Sequence, residues 1–366
     1  MTLTRGARIT GAVLVALLAG IVGAWIVRDL STAGDPAALW RLWTGDVRGR
    51  AVAPSATTVT DPALLLVYAA VAVSVPRSAV AASALVAAGV VTLGVRLPSL
   101  WVLTASYMDL QATDDLRTRA LYSAFASLGL AVGLLVTAAA GRRPVSAPAD
   151  DRAYAPRGAE AAARLRTPTR PAQPVAVLAF LLLGTAGAVT AAWQVRWAYT
   201  AGADAYLDRF TGGEGAPVRL LETPSAWLAV LVALLAFVAG AGGLFRAVHT
   251  RTLGAVVAVL LAADGTVGLA FTLRQRLFDR FGGLGLENQL LVATWLFELA
   301  AGAVLLVALL RRGEEQADTG PTVPPAHAYP PPPPGGYGYP RPGNTPPGPS
   351  GPAPPPRPPS SPPPGW

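Results

Sequence analysis

Eight apolar runs with almost no charge inside them, at residues 9–27, 62–76, 78–95, 120–140, 174–194, 225–245, 252–273 and 288–310, dominate this sequence. An apolar helix of about 20 residues crosses a hydrocarbon layer about 30 Å thick, where the backbone must satisfy its own hydrogen bonds. The pattern predicts an all-α fold: a polytopic transmembrane helical bundle of about eight spans. The run 62–76 is the short one, because its 15 residues rise only about 22 Å. Residues 62–95 are therefore expected either to span twice or to form a re-entrant hairpin, and both leave the two ends on one side. Asp61 and Pro62 suit the start of that helix.

The chain also repeats itself. AWIVRDLSTAGDPAALWR at 24–41 returns 168 positions later as AWQVRWAYTAGADAYLDR at 192–209, with ten of eighteen residues identical and no gap. Further on, SLGLAVG at 127–133 aligns with LFELAAG at 296–302, and each is followed by a double arginine. Two parallel four-helix repeats are expected, because an even number of spans returns each copy to the membrane in the same sense. The boundaries are 1–140 for the first repeat, 141–173 for an Arg-rich cytoplasmic connector, 174–312 for the second repeat and 313–366 for a disordered tail. The run 9–27 is longer than a usual signal core and its counterpart is internal, so it is read as a span.

Composition removes several chemistries. All 29 basic residues are arginine, cysteine is absent and only His249 and His327 are present, so neither a thiolate nor a histidine metal site is expected, nor any cofactor. There is no phosphate-binding glycine loop, nucleophile elbow or His-Glu-x-x-His motif, so the chain is not expected to be an enzyme. Arginines are denser on the side that carries the N-terminus, which places both termini in the cytoplasm. The connector arginines Arg142, Arg143, Arg152, Arg157, Arg164, Arg166 and Arg170 are expected against anionic lipid. Without an accompanying aromatic or groove-reading motif they predict no nucleic-acid partner.

Beyond Arg312, 22 of the 35 prolines fall in 321–366, in stretches such as PPPPPGGYGYPRPG. Such a tail cannot bury a core, and its PPPR and PRP segments suit an aromatic groove on a protein partner. Lysine-free Ala/Gly/Val/Arg-rich spans followed by AYPPPPPGGYGYP resemble, in style, the uncharacterised multi-pass membrane proteins of actinobacteria. The resemblance implies a plasma-membrane location and carries over no site residue.

Three sets of residues are candidates for function. Arg28, Arg41, Arg196 and Arg209 flank the repeated stretch and are read either as interfacial anchors or as an anion or lipid-headgroup site. Leu39, Trp40 and Trp43, with Tyr206, Leu207 and Phe210, recur at helical spacing ahead of Gly45 and Gly212, which predicts two short surface helices with left-handed glycine ends. Asp109, Asp114 and Asp115 lack the ligand spacing of a calcium loop, and Thr113 is read as a helix cap.

Asp264 and Glu298 lie inside spans seven and eight, at one depth near the bilayer centre, where an unpaired carboxylate is expensive and commonly marks a proton or ion path. The gapless alignment sets Gly129 against Glu298, and Gly129 and Gly133 form a Gly-x-x-x-Gly pair expected to bring helices into contact. The acids are read either as a proton or cation site or as cross-bundle hydrogen bonds to Thr266 or Thr294.

The leading expectation is a non-enzymatic envelope, scaffold or interaction component. A proton- or cation-coupled transporter using Asp264 and Glu298 is the alternative, and an enzyme on lipid-linked substrates using Asp109, Asp114 and Asp115 is the third.

Overall fold

The computed structural model describes residues 2–45, 55–78, 80–143, 169–170, 172–213, 215–216, 218–311 and 314–315. Among them run α1 (Arg5–Ala33), α2 (Pro36–Trp43), α3 (Thr60–Ser74), α4 (Ala81–Arg96), α5 (Ser99–Val102), α6 (Asp114–Ala140), α7 (Gln173–Ala201), α8 (Ala203–Thr211), α9 (Ser225–Leu244), α10 (His249–Arg274) and α11 (Leu286–Leu310). The tail expected at 313–366, apart from Glu314 and Glu315, lies outside the described residues, as do connector arginines Arg152, Arg157, Arg164 and Arg166.

Seven stretches are long and apolar enough to cross a membrane: α1, the α4–α5 segment Ala81–Val102, α6, α7, α9, α10 and α11. The remaining apolar helix, α3, has 15 residues and is the short run anticipated at 62–76. Large apolar side chains such as Leu17, Leu66, Phe125 and Leu234 point outward and are more than half exposed. A surface of that kind is stable in lipid, where exposure of leucine carries no penalty.

Local chemistry sets the helix ends. Thr4 Oγ1 accepts from the Ala7 amide at 3.2 Å to start α1, and Thr113 Oγ1 accepts from the Leu116 amide at 3.4 Å to start α6. Gly34 and Gly202, shared by the repeated stretches, adopt φ of 84° and 83°, a left-handed turn that directs the chain from a spanning helix into a surface helix. Gly45 and Gly212, at φ of 77° and 78°, end those surface helices as expected. Asp61 departs from its expected cap position: α3 begins at Thr60, and Asp61 sits in its first turn with Oδ2 accepting from the Thr58 amide at 2.9 Å.

α1 packs on α3 and α6, and α4 packs on α6. In the other half α7 packs on α9 and α11, and α10 on α9 and α11. The halves meet where α4 and α10 touch, with α10 also reaching α3. Burial agrees: 61% of the α4–α5 window and 44% of the α10 window lie inside the protein, against 22–28% for α1, α6, α7 and α11. Two short antiparallel ladders close the halves, Thr2–Leu3 with Arg142–Arg143 and Thr169–Arg170 with Glu314–Glu315.

The Gly-x-x-x-Gly expectation is overturned. A Cβ on Gly129 would meet nothing within 4 Å, and on Gly133 only Leu14 at 3.5 Å. The close helix contact lies in the other half, at the seam of α10 and α11. There a Cβ on Gly265 would fall 2.5 Å from the Leu299 amide, and one on Gly302 would fall 2.6 Å from the Ala258 carbonyl.

Candidate functional site

A cavity of about 270 Å³ begins among the loops at the distal end, the end away from the N-terminus, and reaches into the bundle. Trp43 and Thr58–Thr60 line it from the first half; Arg219, Glu222 and Thr190 line it from the second; Asp264 and Glu298 stand at its inner part. Asp264 is ten residues, about 15 Å along the helix, from the distal end of α10. Although deep in the bundle, Asp264 is exposed because the cavity reaches it, whereas Glu298 keeps only 6% of its surface accessible.

The two acids are brought together as their equal depth required, within hydrogen-bonding reach. Two carboxyls bond each other only through a proton held between them. Glu298 Oε2 is buried and finds no N–H or O–H donor among the described groups. The threonines expected to bond the pair do not: Thr266 Oγ1 donates to the Ala262 carbonyl at 2.6 Å and Thr294 Oγ1 to the Leu290 carbonyl at 2.9 Å. Threonine in a helix reaches the carbonyl one turn back without moving the backbone, so the acids keep the cavity as their remaining environment.

The cavity sits where the halves differ. Shifting the ten buried positions of α4 by 169 residues reproduces nine buried positions of α10; the exception sets fully buried Val95 against Asp264. Shifting α1 by 168 sets buried Val22 against the cavity residue Thr190. For α6 and α11 the gapless shift of 169 matches no buried position, while 171 aligns Ser127, Ala131, Leu134 and Ala138 with Glu298, Gly302, Leu305 and Leu309. The 171 shift also aligns two equivalent bonds: Trp25 Nε1 donates to Ser123 Oγ at 3.1 Å, and Trp193 Nε1 to Thr294 Oγ1 at 3.0 Å. The structural counterpart of Glu298 is thus Ser127, not Gly129.

Above the acids, Arg219 joins the halves. Its guanidinium donates to the carbonyls of Leu42 at 2.6 Å and Thr57 at 3.3 Å, and its amide donates to Glu222 Oε2 at 2.9 Å. Burial pushes the Glu222 carboxyl above the usual carboxylate range, and the Arg219 amide and guanidinium pull it partly back. Further bonds at this end tie Leu221 N to the Ala56 carbonyl, Thr223 Oγ1 to the Val95 carbonyl and Trp227 Nε1 to the Gly94 carbonyl.

The other candidate residues are engaged one by one. Arg28 pairs with buried Asp29 at 2.7 Å, Arg196 with Glu287 at 2.5 Å, Arg209 stacks 3.9 Å over the Trp197 ring, and Arg41 is exposed on α2. Asp109 pairs with Arg117 and Asp115 with Arg119, and Asp114 opens α6.

Three further charges, Asp29, Asp61 and Arg96, are buried, which their places in the sequence do not signal. Asp29 Oδ2 accepts from Thr57 N at 2.7 Å and Thr57 Oγ1 at 2.6 Å, and Arg96 pairs with Asp61 while donating to the Leu221 carbonyl at 3.0 Å.

The chain matches no protein-family model, no curated protein and no solved structure. Its helices define a class, a multi-pass helical membrane protein.

Proposed function

We propose that this protein is a plasma-membrane carrier that couples to a proton or cation bound between Asp264 and Glu298, with both termini cytoplasmic. The observation that carries this reading is the cavity: it places two carboxyls, one with an oxygen lacking a donor, at the inner part of a recess lined from both halves. Intramembrane acids facing a cavity are the usual hardware of proton and ion paths. The parallel bundles support an origin by duplication, after which only the second copy acquired the acids. In this reading Arg28, Arg41, Arg196 and Arg209 act at the lipid interface, and the protein is not an enzyme.

A pH or sodium jump on vesicles adsorbed to a solid-supported membrane tests it. The full-length protein should give a transient charge displacement that Asp264→Asn with Glu298→Gln abolishes. An unchanged current in that double variant would sink the reading. The scaffold reading leans on the composition of the tail, and it requires the opposite pattern in cells: loss of phenotype on deleting 313–366 and none on neutralising the acids.

A further inference from the structure

Resting on that reading, we infer that the cavity takes a small organic ammonium ion, with the cationic nitrogen at Asp264 and Glu298 and the hydrocarbon body along the recess toward Trp43. Four features of the site argue for this class of ligand over an inorganic cation.

The cavity contains Arg219, Glu222, Asp264 and Glu298, so its formal charge is negative and a cation is the complementary occupant. Inorganic cations need many oxygen ligands: calcium takes six to eight, and sodium sites within membranes draw on backbone carbonyls freed where a helix unwinds. α10 and α11 run unbroken past Asp264 and Glu298, so their carbonyls are committed within the helices. Among the described residues no three His, Asp or Glu side chains gather to hold a metal.

An ammonium group asks for less, because its three N–H donors can be met by two carboxyls and one hydroxyl. Glu298 Oε2, buried and without a donor, is one such acceptor, Asp264 is the second, and the Thr190 hydroxyl lines the same space. Much of the remaining lining is aliphatic: Leu228, Val232, Leu260 and Val267 offer a surface that a hydrated metal ion cannot use and a hydrocarbon body can. The volume, about 270 Å³, equals that of about nine waters at about 30 Å³ each, far beyond a bare ion.

The test is calorimetric titration of the full-length protein in detergent with 2-phenylethylammonium, its neutral analogue 2-phenylethanol, and sodium. The ammonium should bind saturably and at least about tenfold more tightly than the alcohol or sodium. Glu298→Gln should weaken it by at least about tenfold. Ala229→Phe, which narrows the cavity, should weaken the ammonium by at least about tenfold, and an unchanged melting temperature in detergent separates that loss of binding from loss of fold. If sodium binds tightly and displaces the ammonium, or if the ammonium binds equally to both variants, the ligand class is wrong. A normal pH-jump current without ammonium binding overturns this inference and leaves the carrier reading standing. Absence of both overturns both.

Discussion

The two halves of this protein bury nine of ten equivalent positions along α4 and α10 and part company around the cavity. In the first half, Val22, Val95 and Ser127 are buried; at the corresponding places the second half has Thr190, Asp264 and Glu298 around a cavity. The first half instead encloses its charges at the distal end, where Asp61 and Arg96 are 2% and 4% exposed and bond each other. A paired charge with its hydrogen bonds satisfied stabilises a boundary; an acid left facing empty space is available to a ligand. One scaffold thus carries intramembrane carboxyls in one half and closes the equivalent place in the other.

Breaking the closed half should cost most. Arg96→Met leaves Asp61 buried without its partner and should destabilise the fold by about 3–5 kcal/mol, read as a loss of thermal stability in detergent. Adding Asp61→Asn should recover much of that loss; if the double variant is no better than the single, the pair is not the source of the effect.

The seam of the second half comes next. A Cβ on Gly268 would fall 2.0 Å from the Trp295 ring, so Gly268→Leu should cost about 1–3 kcal/mol, whereas Gly129→Leu, with open space around it, should change stability little. Equal costs at the two glycines would erase the difference between the seams.

Rebuilding the second half on the first sharpens the contrast further. Asp264→Val with Glu298→Ser should fold with equal or greater stability, by up to about 1–3 kcal/mol, since it removes the buried Glu298 Oε2 that has no donor, and should lose the pH-jump current. The smallest effect belongs to Glu222. Burial raises its affinity for protons above the unfolded value, so its contribution favours the fold at acid pH and declines as pH rises through the folded-state value. Glu222→Gln should therefore be slightly more stable than the native chain near neutral pH, with the advantage disappearing in acid, as followed by thermal melts across pH.

Much of this architecture was legible beforehand. Apolar run length placed the helices, Gly45 and Gly212 marked the ends of the surface helices, and equal depth paired Asp264 with Glu298. The register of α11 against α6 was not legible. Helices in lipid are apolar on the outside as well as the inside, so no polar face betrays which side is buried, and matching letters set Gly129 where Ser127 belongs. The close seam was misplaced for the same reason, because a glycine on a lipid-facing surface looks in sequence like one between helices. Asp29, Asp61 and Arg96 looked like ordinary helix-end residues, and only the neighbours supplied from distant segments, such as Thr57 and Leu221, show them to be enclosed.

The paired strands at residues 2–3 with 142–143, and at 169–170 with 314–315, mean that the chain enters and leaves each half at one corner. Each half is closed by a ladder between residues near its own two ends. The cavity is walled by both of these self-closed halves, so it belongs to their meeting and to neither alone.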